Sequence, residues 1–312
     1  MPKMKRLHIA LGTPMYGGAC MAAFNRSTAA LALALESEGH KLTPIFLANE
    51  SLIQRARNTI AYHFLKTDAT HLLFVDADTG IRVEDVARMV AANKPIIMAP
   101  CPMKRINWAR VRQAIADGVP DDLLHRYTGF FNIVHLPGNR TVSADEPFEV
   151  EVGGSGFMLI KREVFEKLAR VTETYVNRNH GDAMPPGVRV HNFFPVHVVN
   201  DDLWSEDYAF CAAWRRLGGS VWAAPWCEVK HVGTYEFAGV FRDCSAAPQT
   251  QEDTCRSSTA TARSATSPRR STKSPMTGRP TTSRTAKSST RTTASSKPAS
   301  PSRTKSPRRK RK

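Results

Sequence analysis

The stretch His71-Leu72-Leu73-Phe74-Val75-Asp76-Ala77-Asp78 joins a short unbroken apolar run to two carboxylates at its carboxyl end. Such a run reads as a strand buried on both faces, as in sheets covered by helices on either side. Ligands bind beyond the carboxyl ends of strands of that kind. Two carboxylates there are hard oxygen donors suited to Mg²⁺ or Mn²⁺, ions that complete their shells with substrate phosphates. The stretch therefore predicts a place where a metal grips a diphosphate. A pair of acids in a polar turn is also met as a plain solvated loop, so the surrounding sequence carries the weight.

Working outward, residues 7–11 form an apolar strand that runs into a flexible turn at 12–18. Residues 24–38 read as an Ala- and Leu-rich helix, with Asn25 or Ser27 as its cap and Gly39 ending it. A second strand covers 43–47, and a helix over 52–66 places Ile53, Ala56, Ile60 and Phe64 on one side. Downstream come a helix at 82–92 and a strand at 95–99. Residues 103–128 give no clear pattern. An antiparallel pair is expected at 129–134 with 148–152, then a strand at 156–160 and a helix at 163–170. Residues 177–190 read as a mobile loop, followed by a helix at 206–217 and short strands at 220–224 and 228–231. This alternation predicts an α/β fold, a mostly parallel sheet flanked by helices. The turn after the first strand is no dinucleotide fingerprint, because Gly12, Gly17 and Gly18 have the wrong spacing and no acid ends the second strand.

Composition divides the chain. Of 44 Lys+Arg, 17 lie in residues 256–312, which hold no Asp or Glu, leaving 27 Lys+Arg against 28 Asp+Glu before them. The formal net charge of +16 thus comes from the tail. After Phe241 there is no Ile, Leu, Val, Phe, Trp or Tyr, so residues 242–312 are expected to be disordered. A Ser/Thr/Pro-rich polycation of this type attracts polyanions, nucleic acid first among them, or serves as a solubilising extension. No run of 18 apolar residues suggests a membrane span. Six scattered cysteines without Cys-x-x-Cys spacing fit reduced thiols and a cytoplasmic location.

Four stretches fall in order: Gln54-Arg55-Ala56-Arg57-Asn58, Asp76-Ala77-Asp78, Gly153-Gly154-Ser155-Gly156 and Ser205-Glu206-Asp207, with His231-Val232-Gly233 behind. Over about residues 7–241 this set resembles glycosyltransferases of the GT-A (Rossmann-like) fold, close to the family-2 group and to glycosyltransferase-like proteins of bacteriophages and large viruses. The resemblance implies a domain over 1–241 that moves a hexose from a nucleotide-sugar donor, a UDP-sugar, with Mn²⁺ or Mg²⁺ as cofactor. It puts Asp76 on the ribose or a bridging water, Asp78 on the metal with Asp76, and His231 as the residue completing the metal site. Thr13 and Pro14 match where uracil and ribose rest, and Arg57 and Asn58 match positions beside the nucleotide. Gly154 and Ser155, Trp204 and Lys104 fall on the acceptor side, with Arg105 beside Lys104. Glu206 and Asp207 match an acidic pair in which Asp207 is the general base. The plain alternative is that acids at a helix start answer its dipole with Ser205 as cap.

The segment after Asp207 carries Trp214-Arg215-Arg216 in place of a Gln-x-x-Arg-Trp motif, which argues against a processive polysaccharide synthase. A hydroxymethylated base in DNA is one acceptor compatible with the basic tail; a protein or small glycan is the other. A nucleotidyltransferase fits less well, as the turn at 12–18 has no basic residue. The non-enzymatic alternative is a nucleic-acid-binding protein with an inactive GT-A-like domain.

Overall fold

The computed structural model describes residues 6–138, 143–178, 184–185 and 187–235, all within one unit, Met1–Phe237. The expected tail disorder, and residues 179–183 and 186 of the expected mobile loop, lie outside the described residues; within that loop Asn177, Met184 and Val190 are buried. The chain runs β1 (His8–Met15), α1 (Ala22–Ser37), β2 (Lys41–Ala48), α2 (Ile53–Leu65), β3 (His71–Val75), β4 (Thr79–Gly80), α3 (Val83–Ala91) and β5 (Ile96–Met98). Next come α4 (Trp108–Ala116), β6 (Ile133–His135), β7 (Phe148–Gly153), β8 (Phe157–Lys161), α5 (Arg162–Leu168), β9 (Thr174–Val176) and β10 (Arg189–His191). It continues with β11 (His197–Val199), β12 (Asp202–Trp204), α6 (Glu206–Arg216), β13 (Val221–Ala223) and β14 (Lys230–His231).

Eight strands form one sheet in the order β2-β1-β3-β8-β5-β13-β7-β6. Pairing is parallel for β2–β1, β1–β3 and β5–β13, and antiparallel for β3–β8, β8–β5, β13–β7 and β7–β6. Six of the eight strands therefore run one way, with β8 reversed in the middle. Alternation along β3 explains the two cores. Leu72 and Phe74 face α2, α5 and α6, where they meet Ile60, Phe64, Phe165 and Phe210. Leu73 and Val75 face α1 and α3, where they meet Phe24, Leu31, Val86 and Met89. Both faces are covered, which is why this strand is apolar at consecutive positions.

β1 is longer than expected. The predicted flexible turn at 12–15 is strand, paired in register from Gly12↔Ile45 to Met15↔Ala48. On its other side pairing with β3 stops at Gly12↔Phe74, leaving an open edge that tolerates Pro14. α1 begins before its expected cap. Asn25 and Ser27 lie inside it, and Ser27 donates to the Phe24 carbonyl at 3.0 Å. Instead the Met21 N–H donates to the Ala77 carbonyl at 2.8 Å, fastening the helix start to the loop after β3. The unpatterned stretch contains α4, whose one buried residue is Ala114, and a 3₁₀ turn at Asp121–Tyr127. Among the described residues no helix is long and apolar enough to cross a membrane. Cys20, Cys101, Cys211 and Cys227 are free thiols; Cys244 and Cys255 lie outside the described residues. Burial pushes the Cys101 and Cys211 thiols up to about 12, so neither is a nucleophile at neutral pH.

His71, at the start of β3 opposite Lys161, is held down to about 4 by burial and by that ammonium. The unfolded chain takes up this proton near the ordinary value of 6.5 and the folded one does not until about 4. Stability supplied by the neutral ring is full above pH 6.5 and is lost as pH falls toward 4. The loss is roughly 3 kcal/mol at most. Urea midpoints of wild type and His71→Gln, compared from pH 7 to pH 4, should diverge in that direction, with the variant falling less steeply.

Candidate functional site

The carboxyl ends of β1, β3, β5 and β13 open on one edge of the sheet, where the turn into β8 also lies. Arg57, on α2, is almost fully buried there. Its Nε donates to Glu206 Oε1 at 3.1 Å, and its Nη2 donates to Asp76 Oδ1 at 3.0 Å and Oδ2 at 3.3 Å. The guanidinium lies 5.1 Å from the centre of the Phe74 ring. Burial opposes its charge, but Asp76, Glu206 and Asp207 outweigh it and raise its pKa.

The glycines before β8 let backbone and acids approach closely. A Cβ on Gly156 would lie 3.2 Å from Asp76 Oδ2, and the Asp76 N–H donates to the Gly156 carbonyl at 3.0 Å. Asp207 is fixed at the start of α6. Its Oδ2 accepts from the Ser155 N–H at 3.3 Å, and its Oδ1 accepts from the Tyr208 N–H at 2.9 Å and from the Ser205 hydroxyl. Ser205 is the residue before the helix, but its hydroxyl is spent on Asp207 and makes no backbone cap.

Asp78 has a separate set of partners. β14 pairs with β4 in the register His231↔Thr79, and the Val232 N–H donates to the Asp78 carbonyl at 2.9 Å. This ladder sets His231 Nε2 3.5 Å from Asp78 Oδ1, while His231 Nδ1 faces the Pro102 carbonyl at 2.7 Å. Lys104 Nζ donates to Asp78 Oδ2. The Lys104 stem crosses the backbone of Gly233 so closely that a Cβ there would lie 2.7 Å from its Cδ. The hydrogen bond from His231, reinforced by Lys104, holds the Asp78 carboxyl well below the usual range; the same contact raises His231.

The expected residues divide accordingly. Arg57, Asp76, Glu206, Asp207 and Ser155 come together, and Asp78, His231 and Lys104 form an adjoining group. Thr13 is fully buried near the end of β1, with Pro14 half-buried beside it. Four of the expected residues take partners that the sequence did not signal. Asn58 does not face a nucleotide: its amide bonds Asn192 Oδ1 at 3.1 Å and accepts from the Phe194 N–H at 3.0 Å. Gly154 is closed by Asn132, whose Nδ2 would lie 2.7 Å from an added Cβ. Trp204 packs against the core instead of standing free as a platform. Asp76 is held by Arg57, which donates to both of its carboxylate oxygens.

Asp78 and His231 supply oxygen and nitrogen donors that suit Mn²⁺ with a diphosphate completing the shell. Among the described residues no group of three or more His, Cys, Asp or Glu is arranged to hold a metal ion. A metal at Asp78 would have to displace the Lys104 ammonium. Three polar atoms buried at this edge have no protein partner, namely Thr13 Oγ1, Ser155 Oγ and Arg57 Nη1. Buried groups of this kind are normally satisfied by water or ligand. Sequence reading missed the Lys104–Asp78 contact, because nothing in the spacing signals the lysine's passage over Gly233.

No protein-family model matches the chain, and no curated protein matches it by sequence. Among solved structures it is similar to A197 from STIV, with a TM-score of 0.41 and 13% identity over 73% of this chain and 86% of that one. It is also similar to GalNAc-T7 crystallised with UDP, GalNAc and Mn²⁺, with a TM-score of 0.41 and 11% identity over 74% of this chain and 45% of that one. The site's own geometry, not these distant likenesses, carries the functional reading.

Removing Arg57 strands the buried Glu206 carboxylate and leaves the partly exposed Asp76 without its cation. Arg57→Met should cost about 3–5 kcal/mol in urea unfolding. Adding Glu206→Gln should recover part of that loss, since one stranded charge is then gone.

Proposed function

We propose that this chain is a metal-dependent glycosyltransferase that moves a hexose from a nucleotide-sugar, a UDP-sugar, to a hydroxyl acceptor. The observation that carries this is the Asp76-x-Asp78 pair at the carboxyl end of the buried strand β3, each acid facing its own cationic partners. Asp76 and Arg57 form a polar floor at the sheet edge where β1 carries Thr13 and Pro14 near its end, which suits a ribose and its phosphates. Asp78 and His231 would hold Mn²⁺ or Mg²⁺, which when bound supplies Lewis-acid stabilisation of the departing diphosphate. Lys104 and Arg57 bring further positive charge to the same leaving group.

In the transfer, the acceptor oxygen bonds the anomeric carbon as the bond from that carbon to the phosphate oxygen breaks, and the electron pair leaves on UDP. The acceptor proton goes to a carboxylate, which we assign to Asp207, with Glu206 holding Arg57 beside it. The three hydrogen bonds that Asp207 accepts fix its orientation. A hydroxymethylated base in DNA is the acceptor we favour, given the charge of the tail. A second reading, a nucleic-acid-binding protein with an inactive domain, is favoured by one observation: Asp78 is already neutralised by Lys104 and His231.

UDP release over a panel of UDP-sugars, with Mn²⁺ or with chelator, separates the two. Metal-dependent release that is lost in Asp78→Ala and falls about 10²–10⁴-fold in Asp207→Asn is the expected result. No release with any donor in the wild type would support the inactive domain.

A further inference from the structure

Next to Asp78 the same edge opens into a cleft of about 720 Å³, walled by the segment after β5, the start of α4, the 3₁₀ turn and the segment after β13. Three aromatic side chains on its lining are exposed, Trp108 at 56%, Tyr235 at 53% and Phe131 at 43%. Four Lys and Arg side chains line it, namely Lys104, Arg105, Arg126 and Lys230, against one carboxylate, Glu228. Glu228 is itself engaged by Arg126 at 3.4 Å and Arg82 at 3.8 Å. Arg105 lies over the Phe130 ring, 4.5 Å from its centre, and is exposed.

Flat apolar faces interleaved with cations match one kind of occupant well. A single nucleic-acid strand presents π-faces and phosphates in alternation, and proteins that hold such strands use stacking platforms set in positive grooves. A duplex hides its base faces in the stack. A neutral glycan would use an aromatic platform but has no use for four cations. We propose that this cleft holds a single strand of nucleic acid as the sugar acceptor, with bases stacked on Trp108 and Phe131 and phosphates paired by Arg105, Arg126 and Lys230. Lys104 and His231 line the cleft and also touch Asp78, so a nucleotide held there lies beside the transfer site. The strand's role as acceptor rests on the transferase reading; its binding does not.

The test uses the full chain, with the basic tail present in every variant, so that differences report on the cleft. Anisotropy of a labelled 12-mer of thymidylate is measured against salt for wild type, Trp108→Ala and Arg126→Ala. Trp108→Ala should weaken binding about tenfold, the scale of one lost base stack. Arg126→Ala should weaken it and lower the salt slope by about 0.7, the value for one phosphate contact on a single strand. Equal binding by all three proteins would overturn the proposal and leave the tail as sole binder. Tighter binding of the matching duplex would also overturn it. So would heparin, a polyanion without bases, losing as much affinity in Trp108→Ala as the oligonucleotide does. Acceptor-free UDP release from a UDP-sugar is measured alongside. If wild type shows no release while Trp108→Ala still weakens the oligonucleotide, the transferase reading fails and the cleft stands. If release is present and Trp108→Ala binds the strand normally, the cleft fails and the transferase stands.

Discussion

The buried guanidinium of Arg57 is the interaction on which the rest of the site depends. It joins α2 to the end of β3 through Asp76 and to the start of α6 through Glu206. Those contacts span 19 and 149 residues of sequence. A lone buried cation would be prohibitive, and two or three carboxylates alone at this edge would repel each other. Together they make an array in which each charge faces an opposite one. The Phe74 ring beneath the guanidinium, with Phe194 and Phe210 stacked 4.5 Å apart behind it, keeps water from the far side. A low-dielectric wall of that kind strengthens each charge–charge contact in front of it.

The second group, around Asp78, is built differently. Its side chains are partly solvated, and its geometry comes from a two-residue ladder and a lysine laid over a glycine. The Arg57 cluster rests on a buried aromatic core, whereas the Asp78 cluster is partly open to solvent. This division suits a site whose floor must stay fixed while charged ligands come and go.

Much of the frame was legible because it depends on local pattern. β3 has the bounds its apolar run implies, and α6 starts where Ser205-Glu206-Asp207 says it should. β1 was misjudged at 12–15 because glycine and proline usually mark turns, whereas here an extended partner strand holds them in register. α4 left no signal, because it rests lightly on the fold and buries only Ala114. At the site, the residue types were readable and their partners were not. Asn58 looks like a ligand contact in sequence, but a buried amide serves equally well as a strut for the backbone at Phe194. The contact of Lys104 with Asp78 left no sequence signal, since only the folded path of residues 230–233 brings Gly233 beneath the lysine.

The pairing of β4 with β14 also bears on how the site comes into being. Thr79 and His231 are neighbours in the ladder although they lie far apart in sequence. Closing so long a loop is entropically costly and occurs late relative to local contacts. During synthesis the acidic loop after β3 exists well before the strand that completes it. Arg57 and Asp76, 19 residues apart, can meet early, whereas Asp78 gains His231 only when the last described strand docks. Assembly of the site is therefore a readout of completed folding: a chain that stops short of β14 can carry a sheet and both acids, yet lacks the partner that gives Asp78 its place.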